Sequence, residues 1–124
     1  IAAAKNATRV DASDIDAVAC AAIALNAQLN DVSVEVLQED VTDRDPAAWN
    51  VIFAGDVCYE RPMAERVFSW LQLAAANGVV VLMADPGRDY LPKSGLREVS
   101  RYVVPTSLDL ERGDTRETIV YRVT

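Results

Sequence analysis

Gly78-Val-Val-Val-Leu-Met-Ala-Asp85 is the stretch on which the fold turns. An unbroken apolar run of this kind suits a strand that a parallel sheet buries on both faces. It stops at Asp85-Pro-Gly-Arg88, a turn by composition. Just upstream, after Pro62, Ala64, Val67, Phe68, Leu71 and Ala75 recur at helical spacing. That pattern ends at Asn77-Gly78, which suits a helix C-terminus with glycine in the left-handed conformation. Before the helix, residues 49–54, Trp-Asn-Val-Ile-Phe-Ala, form a second apolar run that ends at Gly55-Asp56 and also reads as a strand buried on both faces.

Working toward the N-terminus, Val32, Val34 and Val36 alternate with polar neighbours through Gln38, which predicts a strand followed directly by Glu39-Asp40. Residues 17–30 are alanine-rich and apolar on most sides, with Asp16 placed to cap them, so a well-buried helix is expected there. Residues 8–14 read as a short strand, and Ile1-Ala-Ala-Ala-Lys5 as the last turns of a helix. Downstream, Ser94 is placed to cap a short helix reaching about Val99. Residues 101–104 and 117–123 flank a polar stretch with Gly113-Asp114 and read as antiparallel neighbours. The pattern predicts one α/β domain over residues 1–124 with an antiparallel hairpin at its end.

Composition narrows the function classes. With 51% hydrophobic and 25% charged residues, the 124-residue chain has what one packed domain needs. A net charge of −7 disfavours nucleic acid and anionic membranes and suits a cationic or neutral partner. The apolar runs fall far short of the ~20 residues of a membrane span, and no signal-like segment opens the sequence, so a cytoplasmic protein is expected. The absence of histidine removes Ser-His and Cys-His nucleophile pairs and His-containing metal sites, and no metal site is expected. Cys20 and Cys58 show no disulfide framework and read as free thiols.

Ligands of open α/β sheets bind outside the carboxyl ends of the parallel strands, which would set Asp14, Asp40, Asp56 and Asp85 along one crevice. Asp14 stands where a carboxylate can accept hydrogen bonds from both hydroxyls of a cofactor ribose; the plain alternative is that Asp14 and Asp16 only cap the helix. Asp40 could accept from an adenine amino group or simply be solvated in its loop. Ala54-Gly-Asp-Val-Cys-Tyr-Glu60 is the most specific feature, placing an acid three residues before an aromatic at a strand mouth; the alternative is a polar loop with a core aromatic. With no base to activate it, Cys58 reads as a packing residue. Arg88 fits a substrate rim or a solvated turn equally.

Ser13-Asp-Ile-Asp16 followed by Ala24-Leu-Asn26, Asp56-Val-Cys-Tyr59 and Asp85-Pro-Gly-Arg88 resemble the seven-β-strand S-adenosylmethionine-dependent methyltransferases. Within that class the likeness is to protein lysine methyltransferases with an Asp/Glu-x-x-Tyr/Phe motif, particularly the group acting on the electron transfer flavoprotein β subunit. The resemblance implies a Rossmann-like sheet ordered 3-2-1-4-5-7-6 with the seventh strand antiparallel. It implies that Asp14 and Ile15 hold the ribose of S-adenosylmethionine, that Asp40 and Val41 flank its adenine, and that Asp56 and Tyr59 are catalytic, facing the amine of a protein lysine or a small molecule. Methyl transfer from a sulfonium asks mainly for alignment of a neutral amine and exclusion of water, so no histidine is required.

The resembled family opens with a strand, a Gly-x-Gly loop and a helix, of which residues 1–5 match only the helix tail. None of the five glycines falls in that pattern. The implied sheet would lack its central strand 1, and is expected to be split, closed by pairing of strands 2 and 4, or completed by another chain. Homo-oligomerisation is expected, and this chain by itself is expected to bind cofactor poorly and to be inactive. The alternative is a non-catalytic, self-associating α/β module derived from a methyltransferase.

Overall fold

The computed structural model describes residues 3–105 and 115–124, and the chain divides after Arg44 into two compact units. Each unit holds its own sheet.

The first unit opens with a single turn in which the N–H groups of Asn6 and Ala7 donate to the carbonyl of Ala3; Ile1 and Ala2, part of the expected helix end, lie outside the described residues. Strand β1 (Asp11–Asp14) pairs in parallel with β2 (Glu35–Gln38), setting Asp11 opposite Glu35 and Asp14 opposite Gln38. Helix α1 (Ala17–Leu29) connects them. Its start is local chemistry: Asp16 has an extended backbone, and its carboxylate accepts the Val18 N–H at 2.8 Å. β2 begins later than the valine alternation predicts, because a ladder is only as long as its partner strand.

Burial of α1 differs from expectation. Cys20 and Ala27 are buried, but Val18, Leu25 and Leu29 are exposed, Leu29 by 83%. A helix that is apolar all round can lay only one side on a two-stranded sheet, and the rest stays outside.

The second unit builds a four-stranded sheet in the order β3-β4-β6-β5 from β3 (Val51–Gly55), β4 (Val80–Asp85), β5 (Leu96–Pro105) and β6 (Thr115–Val123). β3 and β4 are parallel; β6 is antiparallel to both β4 and β5. The two sheets correspond to the segments 3-2 and 4-5-7-6 of the implied order 3-2-1-4-5-7-6. The polar stretch around Gly113-Asp114 falls outside the described residues.

Helix α2 (Arg61–Ala76) crosses from β3 to β4 as predicted. Pro62 sits in its first turn, where a missing N–H costs nothing, and Gly78 at φ +86° follows the Asn77 cap. Ala64, Trp70, Leu71 and Ala74 make its buried stripe against Val81 and Met83 of β4 and Val123 of β6. Trp49 meets Trp70 edge to face at 6.0 Å. Burying a side chain the size of Leu71 or Met83 is worth roughly 1.5–3 kcal/mol, and among the described residues the largest fully buried apolar side chains lie in this unit.

Two further expectations change. β3 is not buried on both faces: burial alternates along it, and Phe53 is 65% exposed on the open side. Ser94 does not cap a helix to Val99. Gly95 follows it at φ +75°, a conformation no right-handed helix continues through, and the strand from Leu96 to Pro105 pairs with β6, Leu96 opposite Val123 and Pro105 opposite Thr115, with Val99 left out of the register. A bulge between Glu98 and Ser100 breaks the two-residue period that would have marked the strand.

Candidate functional site

Parallel pairing of β3 with β4 sets Gly55 opposite Ala84, so the residues that follow both strands emerge side by side at their carboxyl ends. Asp56 extends the ladder by donating its N–H to the Ala84 carbonyl at 2.9 Å, then turns the chain at φ +52°, a left-handed conformation that aspartate adopts more readily than most residues. The turn leaves its side chain 49% exposed at the sheet mouth.

At the end of β4 the inward-facing position that should hold another apolar side chain holds Asp85, 1% exposed. Its Oδ1 accepts the N–H groups of Gly87 and Arg88, both at 2.7 Å. Gly87 is left-handed at φ +86°, which closes this turn and makes glycine the fitting residue there.

The turn sends the Arg88 side chain back across the strand ends to Asp56, its neighbour in space but 32 residues away in sequence. Nε donates to Oδ1 at 2.6 Å and Nη2 to Oδ2 at 2.7 Å, a side-on bidentate pair. The Arg88 hydrogen bonds, aided by its charge and that of Arg116, outweigh burial and hold the Asp56 carboxyl below its ordinary range. Tyr59, Pro86, Gly87, Arg88, Asp89 and Arg116 line an open pocket of about 300 Å³ beside this pair. Cys58 is fully buried; burial first, then the negative charges of Asp85 and Asp56, push its thiol up to about 11, so it stays protonated and serves as packing.

The structure therefore brings Asp56, Tyr59, Asp85 and Arg88 to one mouth. Tyr59 is exposed there and not a core aromatic, and Arg88 is an ion-pair partner and not a solvated turn residue. Arg116 is the residue that sequence reasoning missed. The hairpin pattern brought β6 to the sheet, but only its antiparallel register beside β4 carries Arg116 to that end.

In the first unit, Asp14 is the last residue of β1, opposite Gln38, and Asp40 lies two residues past the end of β2. Asp14 is half-buried, and its Oδ1 accepts the Asp16 N–H at 2.9 Å; among the described residues Oδ2 carries no such bond. Asp16, not Asp14, is the α1 cap. Ile15 exposes its apolar side chain next to Asp14. Asp40 Oδ1 accepts from the Thr42 N–H at 3.0 Å and Oγ at 2.6 Å, which caps the single 3-10 turn Val41–Asp43. That local cap is compatible with the solvated-loop alternative for Asp40, and Val41 lies half-buried beside it.

No family model matches the sequence. The electron transfer flavoprotein beta subunit lysine methyltransferase of Danio rerio is 28% identical over 122 residues, 94% of this chain and 47% of that protein. Its Xenopus laevis counterpart is 36% identical over 84 residues, 66% of this chain and 34% of that protein, and the human one is 30% identical over 104 residues, covering 82% and 40%. The chain thus spans half or less of the length of these curated relatives. Among solved structures, the N-methyltransferase NodS from Bradyrhizobium japonicum superposes with a TM-score of 0.59 at 14% identity, covering 97% of this chain and 76% of NodS. The PH0226 protein from Pyrococcus horikoshii gives 0.60 at 11% identity, covering 94% and 72%.

The class of fold shared with these structures is the Rossmann-like α/β fold. Within that class, the chain is a relative in sequence of the electron transfer flavoprotein β subunit lysine methyltransferases.

Proposed function

We propose that this chain carries the acceptor side of an S-adenosylmethionine-dependent N-methyltransferase whose substrate is a protein lysine or another amine. The observation that carries the reading is the strand-end mouth at which an ionised, half-exposed Asp56 lies in the same short loop as an exposed Tyr59. The curated relatives, named as lysine methyltransferases, support the amine as acceptor.

Asp14 with Ile15 would hold the ribose and Asp40 with Val41 would flank the adenine; in support, Asp14 ends β1 with one carboxylate oxygen outside its bond to the Asp16 N–H, and Ile15 beside it is exposed. When bound, the cofactor supplies an electrophilic methyl on a sulfonium that carries its own leaving group. Asp56 accepts an N–H of the amine and fixes its approach, and Tyr59 offers a ring face to the cation on either side of transfer. The amine nitrogen held by Asp56 would take up that methyl group, with the C–S electron pair remaining on sulfur and the released proton passing to water. Water reaches Asp56 easily in this open pocket, so the desolvation that favours a neutral amine must come partly from the substrate itself.

The test is Asp56→Ala in the natural protein. Turnover should fall by roughly 100-fold with cofactor affinity little changed, the pattern of a lost positioning contact. An unchanged rate removes Asp56 from the site. A second reading, a self-associating module without catalysis, is supported by the exposed apolar residues Val18, Leu25 and Leu29 on α1 and Phe53 on β3. Sedimentation showing a stable monomer would count against it and against a homo-oligomer. Among the described residues no helix is long and apolar enough to cross a membrane.

A further inference from the structure

We propose that Arg88 is a positioning residue: its side-on pairing presents Asp56 to the acceptor amine as half of a neutral ion pair, which favours the free amine over the ammonium ion. The inference rests on the amine-binding role proposed for Asp56.

The pairing is built into the sheet. Asp56 is anchored to β4 through its N–H on Ala84, and Arg88 leaves the same strand through a turn that buried Asp85 clamps with two backbone hydrogen bonds. Both ends of the pair are thus set by neighbouring parallel strands. An arginine free to wander in solvent would not need a buried carboxylate to fix its backbone.

The geometry leaves room for substrate. A carboxylate has about four lone-pair sites, and the two Arg88 donors take one on each oxygen. One site per oxygen stays on the outer side, where half of the Asp56 side chain meets solvent. Arg88 therefore orients Asp56 without filling it.

Charge gives the pairing its chemical effect. A lone carboxylate beside a lysine amine stabilises the ammonium form and raises its pKa, and an ammonium has no lone pair to attack a methyl group. Arg88 cancels that field at its source, and Arg116, whose charge also acts on Asp56, adds to the cancellation. Asp56 can still accept a hydrogen bond from the neutral amine. Asp85 and Asp89, whose charges also act on Arg88, are the nearby acids working in the opposite sense.

The test uses n-butylamine as a lysine side-chain mimic, with the Asp56 carboxyl carbon followed by NMR in the wild type, Arg88→Gln and Arg88→Lys. At pH 7, n-butylammonium should bind Arg88→Gln at least about threefold more tightly than the wild type, with Arg88→Lys close to the wild type. In the turnover assay, the rising limb of the kcat–pH profile should move to higher pH in Arg88→Gln and return in Arg88→Lys. Equal or weaker ammonium binding in Arg88→Gln, or an unmoved pH limb, overturns the proposal. Faster turnover of Arg88→Gln at neutral pH also overturns it, since that would make Arg88 a plug in the amine's place. If butylammonium perturbs Asp56 in none of the three proteins, the amine-site reading itself fails; if it perturbs Asp56 equally in all three, only the Arg88 inference does.

Discussion

The two units of this chain use the same design, a parallel strand pair joined by a helix, and differ in what they bury. In the second unit, α2 sets Leu71 and Ala74 against Val81 and Met83, and the antiparallel β6 adds Val123. In the first, α1 buries only Cys20 and Ala27 over strands of four residues each, while Val18, Leu25 and Leu29 remain in solvent. The lesson is that a strand-helix-strand unit is a local pattern, whereas a core needs more sheet than two short strands supply. The sites divide in the same way. Asp56 is fixed by a partner that follows the next strand, but the Asp14 carboxylate accepts its hydrogen bond from Asp16, two residues on.

The comparison breaks most visibly in stability. Leu71→Ala should cost about 2–5 kcal/mol in denaturant unfolding, because it opens a cavity at a nearly inaccessible position, whereas Leu29→Ala should stay within about 0.5 kcal/mol. Comparable losses from the two would mean that the first unit has a core of its own. A smaller effect is expected from Asp16→Ala, about 1 kcal/mol for a lost helix cap, seen as faster amide exchange along α1 with α2 unaffected. If α2 amides accelerate as well, the units unfold as one.

The smallest effect should come from acid. Because the Asp56 carboxyl is held below its ordinary range in the folded chain, its ion pair stabilises the second unit fully above the unfolded value near 3.8 and is lost as pH falls through the lower folded value. Solvent exposure of both partners keeps this contribution small. Arg88→Gln should flatten the acid limb of a pH-stability curve below about pH 4. An identical limb in both proteins would mean that the pair does not persist in solution.

Legibility followed the range of the interactions. The helix after Pro62 and the strand ending at Asp85 were readable, because apolar spacing, a first-turn proline and Asn77-Gly78 act over a few residues. Residues 96–105 were misread at their start, because their extended state depends on pairing with the next strand, Leu96 with Val123, and a bulge hides the alternation. The acid-aromatic loop was legible as a site; the arginine that neutralises its acid was visible only as a turn residue.

By itself, the sequence determined the α/β class, the helix starts at Asp16 and Pro62, the free thiols, and the acids that end β1 and β3. Each depends on composition or on neighbours a few positions away. Only the tertiary structure decided that the strands form two sheets, that α1 stays largely exposed, and that Arg88 closes on Asp56. The physical reason is that strand pairing and ion pairing join residues tens of positions apart, so they are set by how the chain folds back on itself and leave no local mark in the sequence.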